Sequence, residues 1–185
     1  MTASASAPTP APSVPEAAPA AGFADAIAEH RRLIARVAAS YARTPEDRRD
    51  LAQDILLQLW RAWPRFDPAR AKLTTWMYRI ALNVAISALR RPAVAAAPRS
   101  TVFDDAVHAA LAAGAAEPDD DRLEQLYAAI ATLAPLDRAL VILHLDGMPH
   151  ARIAEVLGLG ASNVATKLSR LRAVLRARIT PGEPR

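Results

Sequence analysis

The chain has 185 residues, a formal net charge of +4 and no cysteine. That length suits one or two small domains with a basic surface, and the missing thiols exclude disulfides, zinc ribbons and cysteine nucleophiles. No apolar run reaches the ~18 residues of a membrane span, and the N-terminus lacks a basic segment followed by an apolar one, so a cytoplasmic protein without membrane contact is expected.

Charge divides the chain. Met1–Gly22 is rich in Ala, Pro and Ser with Glu16 as its only charge, which predicts a disordered tail. Residues 23–91 carry 13 basic and 7 acidic side chains. Residues 92–121 set Arg99 against six acids, Asp104, Asp105, Glu117, Asp119, Asp120 and Asp121. Residues 122–178 are basic again, with 8 cations and 4 acids. Two basic blocks joined by an acidic, Ala/Pro-rich connector read as two domains and a flexible linker, with a short helix over 101–113. Residues 180–185 read as a second tail.

The first block predicts helices throughout. Phe23, Ile27, Leu33, Ile34 and Val37 recur near helical spacing over 23–42. Thr44-Pro45-Glu46-Asp47 is a helix start: a capping hydroxyl, a proline in the first turn, then acids. That helix runs to Trp63, where Pro64 stops it. Arg65–Arg70 is a loop, and Thr74 or Thr75 caps the next helix, which ends at Arg90-Arg91 before Pro92. On a wheel of about 100° per residue, Met77, Ile80, Ala81, Val84, Ala85 and Ala88 share one side, with Tyr78, Leu82 and Leu89 at its edge. Arg79, Asn83, Ser87 and Arg90 share the other, and Trp76 falls with them. Two roles stay open for that indole: a cap on the core beside Trp60 or Trp63, or a stacking surface outside it.

The second block predicts helices near 122–133, 136–146, 149–157 and 161–179. Ile153, Ala154 and Leu157 form one apolar stripe, Gly158-Leu159-Gly160 a tight connection, and Val164, Leu168, Leu171 and Leu175 a second stripe. A small residue lets the helices cross closely and a glycine permits a left-handed turn, so the segment has helix-turn-helix grammar. The last helix presents Ser162, Asn163, Thr166, Lys167, Ser169 and Arg170, with five cations and no acid between Leu159 and Ile179. Short polar groups early and cations late suit a major groove, where the former meet base edges and the latter phosphates. No period-two alternation occurs, so the fold class is all-α.

Chemistry is sparse. Asp50 and Asp54 could pair as carboxylates, but no histidine or third acid is placed to help. His30, His108, His144 and His150 lack ligand spacing. No catalytic residue, metal site or cofactor is expected.

The blocks together resemble an extracytoplasmic-function (ECF) sigma factor, the two-domain specificity subunit of bacterial RNA polymerase. RRDLAQDILLQLWRAWPRFDPARAKLTTWMYRIALNVAISALRR resembles the family's region two, and LDRALVILHLDGMPHARIAEVLGLGASNVATKLSRLR its region four. The resemblance implies that Asp50, Gln53, Asp54 and Leu57 dock on the coiled coil of the polymerase β′ subunit. It implies that the second domain meets the β flap and that an anti-sigma factor is a candidate partner. Promoter DNA at the minus-ten element would meet Arg65, Phe66, Asp67, Lys72, Thr75, Trp76, Arg79, Asn83, Arg90 and Arg91. The loop around Arg65–Thr75 would capture an extruded base, offsetting the few kcal/mol of unstacking. Ser162, Asn163, Thr166, Lys167 and Arg170 would read the minus-thirty-five element. Ser87 stands where the family usually has aspartate, and Ala165 where a cation is common. The competing expectation is a helix-turn-helix regulator that does not bind core polymerase, against which residues 43–91 argue.

Overall fold

The computed structural model describes residues 22–90 and 121–179. The N-terminal tail, the bulk of the linker with its expected short helix, Arg91 and the C-terminal tail lie outside them. Among the described residues there are seven α-helices and one 3₁₀ turn, without a strand. In chain order they are α1 (Phe23–Tyr41), α2 (Pro45–Ala62), the 3₁₀ turn (Trp63–Arg65), α3 (Leu73–Ala88), α4 (Asp121–Ala131), α5 (Pro135–Leu145), α6 (His150–Leu157) and α7 (Ala161–Ile179).

Local chemistry sets most boundaries. The Thr44 hydroxyl accepts from the Asp47 amide at 3.1 Å, with Pro45 in the first turn and Glu46 and Asp47 against the helix dipole. Pro64 ends α2 by tightening it into the 3₁₀ turn. Gly158 closes α6 at φ 66°, the left-handed conformation that a side chain resists, and the Leu159 amide then reaches back to the Ala154 carbonyl at 2.9 Å. One start differs from expectation. Neither Thr74 nor Thr75 caps α3; the helix begins at Leu73 after an extended Lys72 that contributes no side-chain cap.

In the first block, α1, α2 and α3 pack on one another around Phe23, Ile34, Ile55, Leu56, Leu59 and Met77, all essentially inaccessible. Fully burying one such side chain is worth ~1.5–3 kcal/mol, so this centre holds the three helices together. In the second block, Leu140, Leu143, Ile153 and Val164 do the same for α5, α6 and α7.

The blocks are not separate in space. One apolar cluster runs through both, because α1 packs on α4 and α5, and α3 packs on α6. This contact rotates the buried face of α3. Tyr78 and Leu82, edge positions on the wheel, are buried at 4% and 3% exposure, while Ile80 and Val84 are only half-buried. The interface is polar as well as apolar. Arg138 of α5 is buried and donates to the carbonyls of Ser40 at 3.1 Å, Ala131 at 2.6 Å and Leu133 at 3.2 Å. Its guanidinium also sits 4.9 Å from the centre of the Tyr41 ring, and the Tyr41 hydroxyl donates to the Pro135 carbonyl at 2.6 Å. Burial lowers the Arg138 pKa and raises that of Tyr41 far above its ordinary value, so the pair meets as cation and neutral phenol.

Candidate nucleic-acid interface

The outer face of α2 carries Asp50 and Gln53 exposed and Asp54 half-buried. Leu57 does not share that exposure. At 9% exposure it is buried, although it stands outside the apolar cluster that joins the helices.

The end of α2, the loop and the start of α3 make an aromatic cluster. Trp63 stacks on Phe66 at 5.7 Å between centroids with planes 23° apart. Trp76 meets Phe66 at 5.0 Å and Trp63 edge-on at 6.1 Å. Phe23 makes edge contacts to Trp60 at 5.1 Å and Trp63 at 5.4 Å. Trp76 is therefore not stranded among arginines. It is half-buried at the margin of the first block, held by two rings that belong to the preceding turn and loop. The sequence raised Trp63 as a neighbour; Phe66 as the closer one follows from the loop folding back.

That fold-back has a local cause. The Asp67 carboxylate accepts the Ala69 amide at 2.9 Å, and the Arg70 amide bonds the Asp67 carbonyl at 3.1 Å, a side-chain turn that reverses the chain. Arg65, Asp67 and Lys72 of the loop are exposed, as are Asn83 and Arg90 further along and past α3, and Phe66 is half-buried within the cluster. Thr75 differs from these in burial, at 1% exposure.

Arg79 is exposed on one side but engaged on the other. Its guanidinium donates to the Glu155 carbonyl of α6 at 2.8 Å and lies 3.6 Å from the Glu155 carboxylate. Arg152 pairs with the same carboxylate at 2.6 Å. This partnership is invisible in the sequence, since ion pairs between distant helices leave no periodic trace.

On α7, Val164, Leu168, Leu171 and Leu175 are buried, and Ser162, Asn163, Thr166 and Arg170 are exposed, as the two stripes require. The Thr166 hydroxyl donates back to the Ser162 carbonyl at 3.0 Å, leaving its oxygen lone pairs outward. Lys167 is half-buried and salt-bridged to Asp137 of α5 at 3.0 Å, so part of its charge is spent inside the domain. At the far side of the second block, His144 and His150 lie 6.0 Å apart, but the His144 ring nitrogen contacts the Arg172 guanidinium at 2.6 Å. Burial, then Arg172, hold His144 below its ordinary pKa, which fits a neutral ring accepting that donor. Among the described residues no group of three or more His, Cys, Asp or Glu is placed to hold a metal, and no helix is long and apolar enough to cross a membrane.

The first basic block thus carries an aromatic cluster at its margin, and the second a polar, cationic helix face. Sigma-70 region 2 matches residues 26–93 and Sigma-70 region 4 matches residues 123–175. The ECF RNA polymerase sigma factor SigM of Mycobacterium tuberculosis is 31% identical over 156 residues, covering 79% of this chain and 71% of that protein. The RNA polymerase sigma factor CnrH of Cupriavidus metallidurans is 29% identical over 167 residues, covering 84% and 85%. CnrH has also been solved in complex with the cytosolic domain of CnrY, and it aligns with a TM-score of 0.58 at 26% identity over 84% of this chain and 85% of that one. The fold is shared with the sigma factor RpoE of Bartonella quintana, solved with the anti-sigma factor NepR, at a TM-score of 0.61 and 19% identity over 85% and 96% of the two chains. The chain belongs to the ECF RNA polymerase sigma factors. Sigma factors are regulators of transcription rather than enzymes, and a regulator lacking the polymerase-binding domain is not favoured by the region 2 match.

Proposed function

We propose that this sigma factor works in the cytoplasm without catalysing a reaction itself, directing core RNA polymerase to two promoter elements and helping to open the DNA. The α2 face of Asp50, Gln53 and Asp54 docks on the β′ coiled coil, and the second domain meets the β flap. Arg65, Phe66, Asp67, Lys72, Trp76, Arg79, Asn83 and Arg90 serve the minus-ten element, with Arg91 just beyond the described residues. Ser162, Asn163 and Thr166 read bases of the minus-thirty-five element, while Arg170 and Lys167 meet phosphate.

The observation that carries this reading is the half-buried Trp76 seated against Trp63 and Phe66, with exposed cations around it. An indole fixed by two other rings offers a rigid stacking surface, and base stacking on an aromatic is worth ~1–3 kcal/mol. The solved relatives bound to CnrY and NepR support an anti-sigma protein as a further partner. The test is reconstituted transcription. Core polymerase with the full chain is expected to initiate at specific promoters that core alone ignores. Failure to co-purify with core polymerase would remove the reading.

A further inference from the structure

Five cations and no acid lie between Leu159 and Ile179, so α7 should pull on a polyanion with the sum of their charges. Their surroundings are unequal. Arg170 and Arg176 are exposed. Arg172 meets the neutral His144 ring and Arg178 the Thr132 hydroxyl, and neither partner offsets a charge. Among the described residues, Lys167 is the cation of α7 that faces a carboxylate. Its ammonium lies 3.0 Å from the Asp137 carboxylate of α5, with both side chains half-buried.

Asp137 stands in the first turn of α5, where the helix dipole stabilises negative charge. The pair therefore forms at the seam of two helices, beside the polar edge that reads bases. Lys167 directly follows the exposed Thr166 and precedes the exposed Arg170 by three residues, one turn of the same helix. An ammonium held by a carboxylate presents little net charge to a duplex and releases fewer counterions on docking. The carboxylate itself repels any phosphate that approaches the ammonium.

We propose that Asp137 is a positioning residue for minus-thirty-five recognition, which holds Lys167 and so restrains the grip of α7 on phosphate, leaving discrimination to Ser162, Asn163 and Thr166. The proposal rests on the minus-thirty-five reading of α7. The restraint acts through occupancy. One extra phosphate contact strengthens binding to every sequence by the same factor. A preferred site close to saturation gains little from it, whereas an unrelated site gains in proportion. A weaker electrostatic grip thus keeps the numerous wrong sites empty without altering a single base contact.

The charge can be removed with the shape kept. Asp137→Asn preserves the start of α5 and an oxygen that accepts from Lys167. The full chain is titrated at several salt concentrations with a duplex selected from random sequence and with a scrambled one. Asp137→Asn should steepen the salt slope by about one unit on both. Affinity for both should rise about three- to tenfold near about 0.1 M salt. Asp137→Glu should keep the wild-type slope. In a Lys167→Gln background, Asp137→Asn should lose most of its effect, because that effect travels through the ammonium. In the reconstituted holoenzyme, Asp137→Asn should raise transcription from a promoter with a scrambled minus-thirty-five element about three- to tenfold, with little change on the intact one. A wild-type slope in Asp137→Asn overturns the proposal, as does full steepening in the Lys167→Gln background. Arg170→Ala separates this result from the reading beneath it. A slope that Arg170→Ala fails to lower withdraws α7 from DNA and the proposal with it. A slope lowered by Arg170→Ala but untouched by Asp137→Asn removes the restraint and leaves the reading helix in place.

Discussion

Trp76 and Phe66 face each other at 5.0 Å between ring centres, with planes inclined by 47°. One residue belongs to a helix and the other to a loop, so the contact couples the rigid part of the first domain to the segment that would receive an extruded base. Trp76→Ala is expected to lower open-complex stability by about five- to a hundredfold, the worth of one stacked base. A promoter carrying a pre-melted bubble should recover much of the activity. Each lost ring contact also removes ~0.5–1.5 kcal/mol of folding stability. A thermal shift larger than that, with no rescue by the bubble, would show that the indole serves packing alone.

Core binding is expected to fail in Asp50→Arg combined with Gln53→Ala, both on the exposed face of α2. Leu57 is the wrong residue for this experiment. It is buried, and Leu57→Ala would cost ~2–5 kcal/mol of stability and mimic a binding defect by unfolding. Circular dichroism should be unchanged in the double variant while a pull-down with core polymerase loses the complex. Retained assembly would move the docking face elsewhere.

On α7 the two classes of contact separate by salt. Arg170→Ala should weaken binding to every sequence and lower the salt slope by about one unit. Asn163→Ala should cost ~1–3 kcal/mol on the preferred site only. Lys167→Ala should show the smaller phosphate effect of the two cations, because Asp137 already holds its ammonium. Uniform losses for Asn163→Ala across unrelated sequences would reverse the docking orientation.

Burial pushes the Asp146 carboxyl up to about 6, although the neighbouring Arg36 favours its ionised form. Arg36 from α1 and Tyr78 from α3 are the groups that face it. A carboxyl whose pKa is higher in the folded chain than in the unfolded one binds its proton more tightly there. This contribution to folding is fully present below the ordinary carboxylate range and is lost as pH rises through about 6. Thermal melting of Asp146→Asn, neutral throughout, should show a flatter pH profile than the wild type across that window; an unaltered profile would assign the slope to another group.

Much of this architecture was legible in the sequence because it is written locally. Thr44-Pro45 announces α2, Gly158 announces the turn before α7, and the steps from Val164 to Leu175 give the buried stripe of the reading helix. What was not legible depends on which helix arrives from far along the chain. The wheel put Tyr78 at an edge, and its burial and its bond to Asp146 appear only once the second block is in place. Leu57 shares a wheel face with Asp50, Gln53 and Asp54, but a wheel gives direction and not depth. Glu155 and Asp137 looked like ordinary surface acids until their cations were seen.

Arg138 has a consequence for how this protein can be divided. Removing its three carbonyl bonds leaves buried acceptors unmatched, and Arg138→Ala should cost more than about 2 kcal/mol in chemical denaturation of the full chain. The same logic applies to a fragment that stops at Arg90. Such a piece uncovers the Tyr41 ring, the Ser40 carbonyl and the inward edge of α3 all at once, so it begins life with a greasy flank that is covered in the intact chain. Its melting curve would report that injury as well as any substitution placed in it. Each half acts as a chaperone for the other, and a gene truncated between them yields a product that is sticky before it is inactive.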